Sequence, residues 1–87
     1  MSISRHGDWI SAKVGDEIVM MSAEQGKYIG LNDVGARVWE LIETPQTIDA
    51  LVAALLEEFD VTPEVCHDEV TAFIEKLREN NAVEGSA

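Results

Sequence analysis

The chain has 87 residues and a formal net charge of −11, and although 46% of it is hydrophobic, its longest apolar run is "ALVAALL", residues 50–56. That run is far short of the ~20 residues needed to span a bilayer. A chain this short is expected to form one domain, residues 1–87, with little room for an enclosed active site, so function is expected on a surface groove. The charge is lopsided: residues 1–39 carry five acids and four bases, whereas residues 40–87 carry twelve acids and two bases. A surface of that sign repels phosphates, which argues against nucleic acid and anionic membranes as partners. The single cysteine, Cys66, leaves no internal disulfide, and "MSISRHGDWISAKV" lacks the apolar core of a secretion signal. The expected location is the cytoplasm.

"WISAKVGDEIVMMS" reads as a hairpin. In a strand over about 9–14, Ile10, Ala12 and Val14 alternate with Ser11 and Lys13, the period of a half-buried strand. Gly15-Asp16 is the two-residue turn, glycine supplying the positive φ. A second strand, 17–22, has Ile18, Met20 and Ser22 on one face and Val19 and Met21 on the other. After the turn "AEQG", "KYIGL" is a third strand, 27–31.

Three helices follow. Asn32 is placed to cap the first, about 33–43, with Asp33 suited to the positive end of its dipole. Val34, Val38, Leu41 and Ile42 line one side, Trp39 broadens it, and Gly35 leaves room for a close-passing backbone. Thr47 caps the second helix, about 48–59, whose stripe is Ile48, Leu51, Val52, Leu55, Leu56 and Phe59. Thr62 and Pro63 open the third, about 63–80, with Cys66, Val70, Phe73, Ile74 and Leu77 on one face. Residues 81–87 read as a frayed tail from which Val83 can still reach the core. The expected class is α+β, a winged helix-turn-helix-like arrangement of a three-stranded antiparallel sheet followed by three helices.

The chemistry-bearing residues do not converge. Cys66-His67 is the only adjacent pair of soft metal ligands, and the other histidine, His6, falls in a segment read as loose. His67 points about 100° around the helix from Cys66 and is poorly placed to serve it as a base. "GLNDVG" has neither the spacing nor the lysine of a phosphate-binding loop. No catalytic residue, metal ligand or cofactor is expected. A winged helix often reads DNA with its third helix, but "PEVCHDEVTAFIEKLREN" carries five acids against two bases. A nucleic-acid-binding regulator is therefore the weaker alternative. What remains is an interaction surface: a three-stranded meander has two edges, and "KYIGL" is a candidate to accept a further strand.

These residues also carry a resemblance. "YIGLNDVGARVWELI", followed by "TIDALVAAL", "FDV", "VCHDEVTAFIEKL" and "NAVE", resembles the PqqD-like family of precursor-peptide recognition domains over about residues 9–84. The first run, with a cysteine early in the third helix, looks most like the stand-alone leader-binding proteins of lasso-peptide clusters. The resemblance implies a non-catalytic domain that binds the leader segment of a ribosomally made precursor. The leader would add to the third strand at Lys27, Tyr28, Ile29, Gly30 and Leu31. It would lie in a groove against the third helix at Glu69, Val70, Phe73, Ile74 and Leu77. Lasso leaders of this kind commonly offer a tyrosine and a proline to apolar pockets. The implied partners are the precursor leader, a separate leader peptidase and a macrolactam-forming cyclase. The alternative within the family is presentation of a precursor to a radical enzyme in quinone-cofactor synthesis. One departure stands out: family members often end in a Gly-Leu-Val-like segment, whereas this chain has "NNAVE".

Overall fold

A computed structural model describes residues 2–85. The elements run β1 (Ile3–Arg5), β2 (Ile10–Val14), β3 (Glu17–Ser22), β4 (Lys27–Leu31), α1 (Asp33–Leu41), α2 (Ile48–Glu58), α3 (Pro63–Glu79) and β5 (Val83–Gly85). The expected α+β arrangement is present, with β2, β3 and β4 forming an antiparallel sheet in that spatial order and three helices following. Gly15 (φ 65°) supplies the first central position of the β2–β3 turn, and Gly26 (φ 64°) closes the β3–β4 turn.

The helix starts form as their caps dictate. Asn32 Oδ1 accepts from Gly35 N at 2.7 Å, Thr47 Oγ1 from Ala50 N at 3.0 Å and Thr62 Oγ1 from Val65 N at 3.3 Å. Each cap satisfies an amide hydrogen that the first turn leaves without an internal partner. Met20 and Ile29 on the inner face of the sheet meet Val38, Trp39 and Ile42 of the first helix region, Leu51 and Leu55 of α2, and Val70, Ile74 and Leu77 of α3 in one buried cluster. Burial of these side chains supplies the main driving force for the fold.

Two expectations about the chain ends are corrected. The segment holding His6 is not loose, and residues 83–85 do not fray. β1 and β5 pair antiparallel, Ile3 opposite Gly85 and Arg5 opposite Val83. His6 N donates to Ala82 O at 2.9 Å, and its Nδ1 lies 2.9 Å from Glu84 Oε2. Ile3 also bridges to Gln46, its N donating to Gln46 O at 2.6 Å. Arg5 then reaches α1: its Nε and Nη2 donate to Trp39 O at 3.0 and 2.6 Å, and its guanidinium lies 4.4 Å from the Trp39 ring centroid. A cation at the carboxyl end of α1 complements the helix dipole and the ring's π face. The last two residues of the expected tail, 86 and 87, lie outside the described residues.

A third correction concerns Gly35. A Cβ there would meet the Asn32 Oδ1 at 3.2 Å and the Phe73 ring at 3.3 Å, so the space serves an aromatic side chain and the cap, not a passing backbone.

Candidate functional site

β4 is the edge of the three-stranded sheet. It pairs with β3 on one side only, Met21 opposite Tyr28, Met20 opposite Ile29 and Val19 opposite Gly30. An edge of this kind presents backbone N–H and C=O groups along its other side. Side chains alternate across the pleat, so neighbours separate: Tyr28 is 76% exposed and Ile29 only 5%. A Cβ on Gly30 would meet nothing within 4 Å, so the space over this stretch of β4 is open.

One residue beyond β4 the edge leads into a cleft of about 220 Å³ between the start of α1 and the middle of α3. It is lined by Asn32, Val34, Gly35, Glu69, Ala72 and Phe73. Phe73 is half-buried, packed on the core along one side, and Glu69 is exposed. The cleft thus joins an aromatic floor to a carboxylate. Gly35 keeps the ring accessible by lacking the Cβ that would press on it.

The structure divides the ten expected site residues. Lys27, Tyr28, Gly30 and Glu69 are exposed, and Leu31 and Phe73 are partly buried. Ile29, Val70, Ile74 and Leu77 are core side chains. The helix-borne half of the expected stripe is absorbed by packing in the core, chiefly against α2 with α1 and β5 beside it, and only its Phe73 edge reaches the surface. The backbone of Ile29 still belongs to the β4 edge, where main-chain groups are presented whatever the side chains do.

Three residues outside the expected site, Asp8, Ser22 and Gln25, tie down the turn that precedes β4. Asp8 Oδ1 accepts from Ser22 Oγ at 2.5 Å and its Oδ2 from Glu24 N at 2.9 Å, while Ser22 Oγ accepts from Gln25 N at 3.1 Å. Gln25 Nε2 donates to Asn80 O at 3.1 Å, tying the turn to the end of α3. The Ser22 hydroxyl, then the Glu24 amide, hold the Asp8 carboxyl below its ordinary pKa. Ser22 beside a turn is the only local signal of this network; Asp8 is fourteen residues away in sequence.

Cys66 is buried, its Sγ 3.9 Å from Val52 O, and burial followed by the charge of Glu69 pushes its thiol pKa up. His67, by contrast, is exposed. Among the described residues no group of three or more His, Cys, Asp or Glu side chains is placed to hold a metal ion, and no helix is long and apolar enough to cross a membrane.

An antiparallel meander with an open last strand, followed by three capped helices and a cleft where strand meets helix, defines a small winged-helix-like recognition domain. The chain belongs to the PqqD family: the sequence profile described as coenzyme PQQ synthesis protein D (PqqD) matches residues 17–83, from β3 to the start of β5. Two solved structures superpose on nearly all of it. TbiB1 in complex with the TbiA(β) leader peptide is 28% identical, with a TM-score of 0.80 covering 97% of this chain and 98% of that one. Lasso peptide synthetase B1 complexed with the leader peptide is 18% identical, with a TM-score of 0.79 covering 95% and 98%, and adds a likeness of fold. Comparison with curated protein sequences returns no match.

Proposed function

We propose that this chain is a non-catalytic binding module for the leader segment of a ribosomally made precursor peptide in lasso-peptide biosynthesis. The observation that carries the reading is the open edge of β4 running into the Phe73 cleft, in a PqqD-family chain similar to TbiB1, a protein solved with a leader peptide bound. Strand addition would supply affinity through main-chain hydrogen bonds, while pockets for alternate side chains supply selectivity. On this reading Lys27, Tyr28, Ile29, Gly30 and Leu31 form the pairing strand. Phe73 receives an apolar leader side chain, and Glu69 favours a basic one. Val70, Ile74 and Leu77 support the cleft from within the core. The bound precursor is then presented to a separate leader peptidase, and a cyclase acts on the released core; the site binds and orients, and the chemistry belongs to those partners.

The second reading, presentation of a precursor to a radical enzyme in quinone-cofactor synthesis, is favoured by the description of the matching family itself. A lasso-type leader and a quinone-type precursor titrated against the chain separate the two by affinity.

The mechanism is tested by proline. Successive backbone amides of a strand point to opposite sides, so of Ile29 and Gly30 one amide faces β3 and the other faces the open edge. Proline at the outward position removes one leader hydrogen bond and obstructs the edge while leaving the β3–β4 pairing intact. Isothermal titration with a leader is expected to show binding lost in one variant that still melts cooperatively. Full leader affinity in both folded proline variants rules out strand addition at β4.

A further inference from the structure

Asn32 stands where the β4 edge ends and the Phe73 cleft begins. Its backbone is extended (φ −84°, ψ −179°), carrying the line of β4 one residue past Leu31, the last residue paired with β3. Its carbonyl is already engaged, accepting from Ala36 N at 2.9 Å to open α1. The side chain is divided between two positions. Oδ1 accepts from Gly35 N at 2.7 Å, and because a backbone N–H can only donate, the atom facing it must be the amide oxygen. The NH2 group is thereby turned away from Gly35 N, and among the described residues it donates to nothing.

A Cβ on Gly35 would meet both the Asn32 Oδ1 and the Phe73 ring, at 3.2 and 3.3 Å, so the amide and the ring border the same spot in the cleft. Only two lining side chains are polar: the Glu69 carboxylate accepts hydrogen bonds, and the Asn32 NH2 alone donates them. The outer side of the sheet takes no part, although Ile10 is 62% exposed there and Val14 61%. The alternation of β2 therefore marks an apolar side that faces solvent, not a half-buried one.

We propose that Asn32 is a positioning residue for the bound peptide, its NH2 donating to a main-chain carbonyl of the peptide residue that rests on Phe73. The proposal depends on the reading of β4 as the leader-binding edge. While a peptide runs beside β4, main-chain pairing satisfies its backbone. Past Leu31 that ladder stops, because the chain turns into α1. A peptide carbonyl carried on into the cleft lies beside an aromatic ring and is shielded from water, where an unpaired acceptor is costly. Asn32 offers a donor at that point, and the cap holds the donor still. An added strand can slip by two residues without exchanging its faces, so a fixed donor at the end of the edge also marks one register.

Aspartate and serine cap a helix about as well as asparagine. Aspartate has no NH2, and the serine hydroxyl is too short to cap α1 and reach the cleft together. The probe is a dodecamer peptide selected on the full chain from a random library. It is kept only if Ile29→Pro or Gly30→Pro abolishes its binding and Phe73→Ala weakens it, each in a folded variant. Asn32→Asp and Asn32→Ser are expected to melt as the wild type does and to bind this peptide about five- to thirtyfold more weakly. In NMR spectra of the wild type, the Asn32 side-chain NH2 signal, identified by its absence from Asn32→Asp, is expected to shift when the peptide is added. Wild-type affinity in either variant overturns the proposal; if serine alone retains it, the aspartate effect is one of charge. A side-chain signal that does not move, or weakening matched by a lost melting transition, leaves Asn32 only a cap and overturns it too. If no selected peptide depends on β4 and Phe73, the leader-binding reading falls and this proposal with it. A qualifying peptide that binds the Asn32 variants fully removes the role of Asn32 alone.

Discussion

Along β4, Tyr28 is 76% exposed and its neighbour Ile29 is 5% exposed. Along α3, Val70, Ile74 and Leu77 are all buried, and Phe73, on the flank of their stripe, is half out. The two elements carry similar apolar residues and use them differently. A strand at a sheet edge serves two clients at once, since each step of the pleat turns a side chain to the opposite side while the backbone remains available. A helix has one apolar stripe, and here packing against α2, with α1 and β5 beside it, consumes it. On the proposed leader-binding reading, selectivity at the cleft would come from the margin of α3, and affinity from the backbone of β4.

This contrast can be broken by mutation. The largest expected effect is on the helix: Ile74→Ala removes a fully buried side chain and is expected to destabilise the fold by about 2–5 kcal/mol in urea unfolding. If stability holds while leader affinity falls, Ile74 belongs to the cleft and the division drawn above is wrong. Tyr28→Ala should do the opposite, changing stability by no more than about 0.5 kcal/mol and weakening leader binding about tenfold or more. Loss of the melting transition in that variant would return Tyr28 to the core.

The smallest effect concerns the turn that starts β4. Asp8 has a lowered pKa in the folded chain, so its contribution to stability is complete above the ordinary value of 3.8 and is lost as pH falls through the lower folded value. Asp8→Asn is expected to be less stable than wild type near neutral pH and to converge with it in acid. Parallel acid-unfolding curves for the two proteins would mean that the carboxylate does nothing for the turn.

Much of this was legible in the sequence because it is written locally. Asn32, Thr47 and Thr62 cap the helices whose starts they mark, and Gly15-Asp16 makes the turn between β2 and β3. Three things were not legible, each for a physical reason. "ISR" and "VEG" are too short to show a period, and each becomes a strand only by meeting the other from the far end of the chain. The alternation of Ile10, Ala12 and Val14 says which residues share a face but not whether anything covers it. In α3 a single stripe had to be divided between core and cleft, and only the position of α2 decides where the boundary falls.

The pairing of β1 with β5 has a kinetic consequence. Its contacts, Ile3 with Gly85 and Arg5 with Val83, join residues about as far apart in sequence as the described chain allows. Such contacts bear the largest loop-closure cost and cannot form until the last residues are available. The meander and the helices, built from nearer neighbours, are free to assemble first. The clasp then acts as a late latch: Ile3→Val is expected to speed unfolding in stopped-flow measurements and leave the refolding rate nearly unchanged. A refolding rate that falls in proportion to the lost stability would place the latch in the folding nucleus instead. On the latch view, the lifetime of the native state is governed at β1 and β5, while the proposed leader-binding edge lies in a different sheet.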